Sequence, residues 1–394
     1  MVKTHVLLRR ADRYAPEPLG KGDVLVCSEK VVAVEEDLGR FASLEDVEVV
    51  DLEGKSLVPG LIDNHVHLMG GGGGGGPATR GPEIFLSELA GCGITTAVGI
   101  LGTDGLTRDL RGLLAKVRAL TAEGLTAFLW SGAYQYPPPT LCGSVQWDVL
   151  FIPEVVGVGE IAIADERGTH PTASEVARLT GEAALGARMA GKRGPVCLHV
   201  GNGREALDPL LAACERTEVR IDGFLPTHLN RTPDLLKRSI EFALKGGWMD
   251  FTTAYTVEGG YSWAVAASQA TVEACAAGVP LERICFSTDG NGVHSFFDEE
   301  GNLTRMFRWP VSSLWPEARR LAVEHGWPLE EALAPVTINP ARALGLEKGT
   351  IAAGRDADLL VLDDDLMVES VYARGRCLVR EGEAVVRGKF EPEA

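Results

Sequence analysis

Apolar and polar positions divide the chain into three textures. Up to about residue 57, short alternating runs such as Asp23-Val24-Leu25-Val26-Cys27 and Val31-Val32-Ala33-Val34 are separated by charged turns, the period-two signature of strands in a small sheet. From 58 to 345, apolar runs alternate with stretches of helical spacing, among them Leu110 to Leu120, Ala173 to Ala190, Leu235 to Leu244 and Ala264 to Ala277. Parallel strands need crossover helices, so this repeat predicts an α/β fold with a TIM-like (β/α)8 barrel. From 346 to 394, strand-like runs return, including Ala357 to Leu362 and Cys377 to Arg380. A segment of about fifty residues buries little surface alone. Residues 1–57 and 346–394 are therefore expected to form one small β-sandwich domain into which the barrel of 58–345 is inserted.

Composition narrows the partners. The 394 residues are 45% apolar and 24% charged, ordinary for a globular chain with a sizeable core. Thirty-eight basic against 55 acidic residues give a formal charge of -17, which disfavours nucleic acid and anionic membrane surfaces. No apolar run approaches the roughly 18 residues of a membrane span, and Met1-Val2-Lys3-Thr4-His5 opens no signal-peptide pattern. The expected location is cytoplasmic. Eight cysteines stand singly, without zinc or disulfide spacing, and read as reduced core residues.

The candidate chemistry gathers at the ends of apolar runs. In Asp63-Asn64-His65-Val66-His67, strand alternation puts Asp63, His65 and His67 on one face, and the two imidazoles can share a divalent ion. His199 ends Val196 to Val200 and His228 ends Phe224 to His228. Either alone reads as an ordinary core or surface histidine, but barrel sites collect at the carboxyl ends of strands, where all of these fall. Asp289 closes Ile284 to Asp289 before Gly290, where it is either a turn residue or a ligand and proton carrier. Glu160 shares a face with Ala162 and Ala164, and a cation beside it would remove the cost of burying its charge. The run Gly70 to Gly76 is either a flexible loop or a backbone wall against a ligand.

These residues resemble the amidohydrolase superfamily and are similar in detail to isoaspartyl dipeptidases. The matching stretches are His65 to Gly73, Pro77 to Arg80, Leu101 to Asp104, Ser131 to Tyr134, Leu225 to Arg231, Ser287 to Gly292 and Phe296 to Thr304. The resemblance implies a zinc-dependent hydrolase of isopeptide bonds, with His65, His67 and Asp289 on one zinc and His199 and His228 on a second. It further implies Asp289 as proton shuttle, Tyr134 as oxyanion donor, and Gly72, Thr103, Tyr134, Arg167 and Arg231 as contacts of a small dipeptide-like substrate. Relatives assemble into rings, so a homo-oligomer is expected.

Three positions depart from that pattern. Glu160 stands where the dipeptidases carry a carboxylated lysine bridging two metals, which leaves one zinc or two open. Gly74 replaces the glutamate that meets the substrate's α-ammonium, and Val293 replaces a serine beside its α-carboxylate. Glu258 is the candidate replacement acid. Two alternatives follow: a hydrolase of N-acyl amino acids or cyclic amides, and a non-catalytic assembly protein on the same scaffold.

Overall fold

The structure is a computed structural model that describes residues 4–257 and 259–392. Its central layer is parallel. The strands Leu61–Val66, Ile94–Gly99, Thr126–Ser131, Val155–Ile163, Val196–Val200 and Phe224–Thr227 pair in chain order as one six-stranded sheet, and Met249–Thr252 pairs with Ile284–Ser287. The sheet curls until its ends meet. Val66 forms a parallel bridge with Gly290, where the His67 N–H donates to Gly290 O at 2.9 Å, and the Leu229 N–H donates to Asp250 O at 3.2 Å.

The crossover helices start and stop where local chemistry requires. Ala173–Ala190 opens on a reciprocal cap between Thr172 and Glu175 and ends at Gly191, whose φ of 68° suits glycine. Pro233–Leu244 starts two residues earlier than the apolar spacing predicts, because Thr232 caps Leu235 and Pro233 needs no N–H partner. Ala267–Ala276 starts three residues later than Ala264, since the Ala264 and Val265 N–H groups are already bound to Tyr261 O and Asn230 O.

The barrel interior is plugged by Val98, Trp130, Val156, Cys197, Leu225 and Cys285, all buried. On the fifth strand Cys197 sits two positions before His199, so this plug forms a dry floor beneath the polar strand ends. Both chain ends meet in one nine-stranded mixed sheet, joined where Leu359–Leu362 runs antiparallel to Ser56–Pro59 with Val58 opposite Leu360. Apolar clusters cover it, one around Leu8, Val24, Leu57 and Val361 and another around Leu7, Leu25, Leu38 and Val47. All eight cysteines are free; Cys197 and Cys285 are fully buried, Cys92, Cys142, Cys214, Cys275 and Cys377 are partly buried against the apolar clusters, and Cys27 is partly buried outside them. Among the described residues no helix is long and apolar enough to cross a membrane.

Candidate metal centre

The strand ends bring the expected histidines together. His65, His67, Glu160, His199 and His228 are all buried above the apolar floor, with Asp289 partly open beside them. His67 Nε2 lies 3.0 Å from Asp289 Oδ1, and His65 Nε2 lies 3.5 Å from both Asp289 Oδ1 and Glu160 Oε2. Glu160 faces the other way as well. Its Oε1 lies 2.9 Å from His199 Nδ1 and 3.1 Å from His228 Nε2. One carboxylate therefore touches two histidine groups, with a different oxygen toward each.

Among the described residues, two groups have ligand atoms close enough to hold an ion: His65, His67 and Asp289, and His65, Glu160 and His228. His199 stands outside both, although its Nδ1 points at Glu160. Both ring nitrogens of His65, Nδ1 of His67 and Oε2 of Glu160 are buried without a hydrogen-bond partner. Unpaired buried polar atoms of this kind are costly, and imidazole nitrogens beside carboxylate oxygens are a donor set that suits zinc. The residues fit a divalent cation.

Electrostatics agree with that donor set. Burial opposes the charge of Glu160, yet His65, His199 and His228 hold its carboxyl well below the usual range. His65 and His67 do the same for Asp289 against its burial. Burial, together with the charge of His199, lowers His228 to about 3 and keeps a lone pair free for an ion. His65 moves the opposite way: despite burial, Glu160 and Asp289 favour its protonated form. A cation would take the place of that proton.

Backbone and neighbours aim the ligands. His228 and Asp289 adopt φ values of 67° and 53°, a left-handed conformation that costs non-glycine residues about 1–3 kcal/mol and clusters at functional sites. His228 Nδ1 lies 2.7 Å from Thr252 Oγ1, which fixes the ring and turns Nε2 inward. Alternation places Asp63 on the ligand face, but its carboxylate instead accepts from the Thr288 hydroxyl and from the Thr288 and His65 N–H groups. Burial raises it to about 7, so it braces the site rather than ligating. Asp250 acts similarly in the layer beneath, accepting from Asn64, Thr227 and Ser287.

The residues expected to meet substrate divide into two places. The Tyr134 hydroxyl is buried 2.7 Å from His199 Nδ1. Arg167 and Arg231 each bring a guanidinium nitrogen to His199 Nε2, at 3.2 and 3.3 Å. Arg231 is buried over the Tyr255 and Tyr261 rings at 5.7 and 5.8 Å. Arg167 is held by Asp165 through a two-pronged contact of 2.9 and 2.7 Å, and the same carboxylate reaches His199 Nε2 at 2.9 Å. Asp165 was no sequence candidate. The strand ends at Ile163 and Ala164 turns through a φ of 51°, so alternation stops predicting direction there.

Gly72 and Thr103 lie apart from the histidines, in the wall of a neighbouring cavity. The glycine run is a folded loop: Gly72 bridges Arg80, has φ of 90°, and a Cβ on it would stand 2.2 Å from Thr79 O. Val293 packs its Cβ 3.1 Å from that same position. Glu258 lies outside the described residues.

Comparison with known proteins adds to the geometry. Residues 156–378 match the amidohydrolase family profile. A β-aspartyl dipeptidase of the thermophilic keratin degrader Fervidobacterium islandicum AW-1, solved with a β-Asp-Leu dipeptide, is 39% identical, covers 98% of this chain and 100% of its own, and superposes with a TM-score of 0.89. A second structure of that enzyme gives 38%, the same coverage and 0.88. Among curated proteins, an adenine deaminase of Oceanobacillus iheyensis is 24% identical over 87% of this chain and 52% of its own length. The chain thus spans about half the length of the curated relatives it matches over most of its own.

Proposed function

The chain belongs to the amidohydrolase family, and from that premise we propose that it is a metal-dependent β-aspartyl (isoaspartyl) dipeptidase, cleaving the isopeptide bond of a small acidic dipeptide. The observation that carries this reading is the convergence of four histidines and two carboxylates at one end of the barrel, with buried ligand atoms left unpaired.

Two zinc ions are the proposed complement, and His65, His67, Glu160, His199, His228 and Asp289 are the residues that would hold them. Zinc bound there would lower the pKa of a water toward about 7 and polarise the scissile carbonyl. Asp289, ionised beside His67 at 3.0 Å, takes the water's proton and delivers it to the leaving amine. Burial raises Tyr134 well above an ordinary phenol, so it stays protonated and donates to the oxygen on which charge develops. Arg231 and the Asp165-held Arg167 pair with the substrate's carboxylates. Gly72 and Thr103 contact its acyl end.

The test is metal content per chain measured beside hydrolysis of β-Asp-Leu and α-Asp-Leu. We expect zinc-dependent cleavage of the β-linked dipeptide. A zinc-loaded enzyme that leaves β-Asp-Leu intact would remove the assignment.

A further inference from the structure

Next to the metal centre lies a cavity of about 330 Å³ whose wall includes Gly72, Gly73, Gly74, Arg80, Thr103 and Asp104. Thr103 in its wall follows Gly102, and a Cβ on Gly102 would stand 2.4 Å from His67 Cε1, so the turn before Thr103 packs against that histidine.

Its charges do not suit an ammonium. Asp104 is the carboxylate in this wall, and it is already engaged. It accepts from the Thr107 N–H at 2.9 Å, the Thr107 hydroxyl at 2.6 Å and Arg108 at 2.9 Å, with Arg80 Nε 3.4 Å away. Arg108 is buried and spends its other donors on Met69 O and Gly81 O. Glu83 nearby is paired with Lys116 at 3.2 Å. One carboxylate thus serves two guanidiniums, and Arg80, whose side chain is 40% exposed, carries the surplus positive charge. Gly74 contributes no side chain, and a Cβ there would meet nothing within 4 Å. Among the described residues an entering cation would meet repulsion and no unpaired anion, whereas a neutral amide fits the space and a carboxylate gains a cationic partner in Arg80.

We propose that this cavity is an acyl subsite, so that the enzyme prefers β-aspartyl substrates whose aspartyl nitrogen is acylated, above all by a group ending in a carboxylate, to those with a free amine. This rests on the dipeptidase reading for the bond cleaved, but the subsite can be measured without turnover.

Calorimetric binding of L-aspartate, N-acetyl-L-aspartate and N-succinyl-L-aspartate to the zinc-loaded enzyme reads the subsite directly. The ratio of kcat/KM for N-succinyl-β-Asp-Leu and β-Asp-Leu reads it in catalysis. The N-succinyl ligand is expected to bind about tenfold or more tighter than aspartate, matching one charge-assisted contact. Arg80→Gln should erase most of that margin. Gly74→Glu, at a position with open space and no left-handed φ, should reverse the order. Tighter binding of free aspartate by the parent enzyme would overturn the proposal. If neither dipeptide is cleaved, the dipeptidase reading falls while the binding order still decides the subsite.

Discussion

The metal-ligand cluster and the rim around it are built on different principles. The candidate ligands stand on or just past the ends of short buried strands, over a floor of Trp130, Cys197, Leu225 and Cys285, where packing fixes each side chain to within a rotamer. The rim is made of the loop through Gly70 to Gly76 and the hairpin of Val293–Phe297 with Leu303–Arg308, whose residues are mostly half-buried or exposed. On the proposed reading, chemistry that needs fixed distances belongs to the first, and discrimination among substrates to the second. Substitution at the rim therefore changes what is bound sooner than what is done to it.

The largest effect should come from Asp289→Asn, which keeps the shape and removes the base. A kcat loss of about 10³-fold, within the range for a general acid–base group, with folding unchanged by circular dichroism, is the expected outcome. A loss below tenfold would show that the strand cluster is not where the proton moves. Next comes Glu160→Gln, which leaves three buried histidines without their shared anion. Bound zinc should fall from two per chain to one or none by atomic absorption, with at least about 10²-fold lower kcat on the scale of lost metal-ion catalysis. Two retained zincs would mean that Glu160 does not hold the pair together.

The same division explains what could be read in the sequence. As candidates, His65, Glu160 and His199 were legible because strand alternation is short-range, and His67, His228 and Asp289 because the carboxyl-end rule places site residues just past the strands. The apolar spacing of Ala173–Ala190 was legible for a similar reason, since cap and period coincide there. What failed lies where chain direction changes or distant segments meet. Asp165 follows the left-handed Ala164. Asp63 obeys alternation but finds Thr288, 225 residues away, instead of an ion. Which nitrogen of His199 faces Glu160 and which faces Asp165 depends on three elements packed around one ring. The cavity charge depends on Arg108 reaching across to Met69 and Gly81, contacts that no local pattern encodes.

Asp165→Asn tests the seam between the two regions, because one carboxylate holds both Arg167 and His199. Loss of the two-pronged ion pair should free the half-exposed Arg167 and raise KM for β-Asp-Leu about tenfold, equivalent to about 1.4 kcal/mol. The change in kcat should be smaller. An equal fall in kcat with KM unchanged would instead assign Asp165 to the metal half through His199, and zinc content would then drop with it.

The smallest effect belongs to the rim itself. Val293 presses its Cγ2 to 3.1 Å from where a Cβ on Gly81 would lie, and its Cβ equally close to that of Gly72, so it offers packing where a hydroxyl would offer a donor. In Val293→Ser the lost apolar contact should cost little, because the residue is only half-buried, and the gained hydroxyl is worth about 0.5–1.5 kcal/mol if it reaches a substrate carboxylate. KM for β-Asp-Leu should fall about two- to tenfold at constant kcat, with zinc content unaltered. A change in kcat of the same size would break the separation, since a side chain packed against Gly72 and Gly81 would then be acting on the chemistry held by the strands.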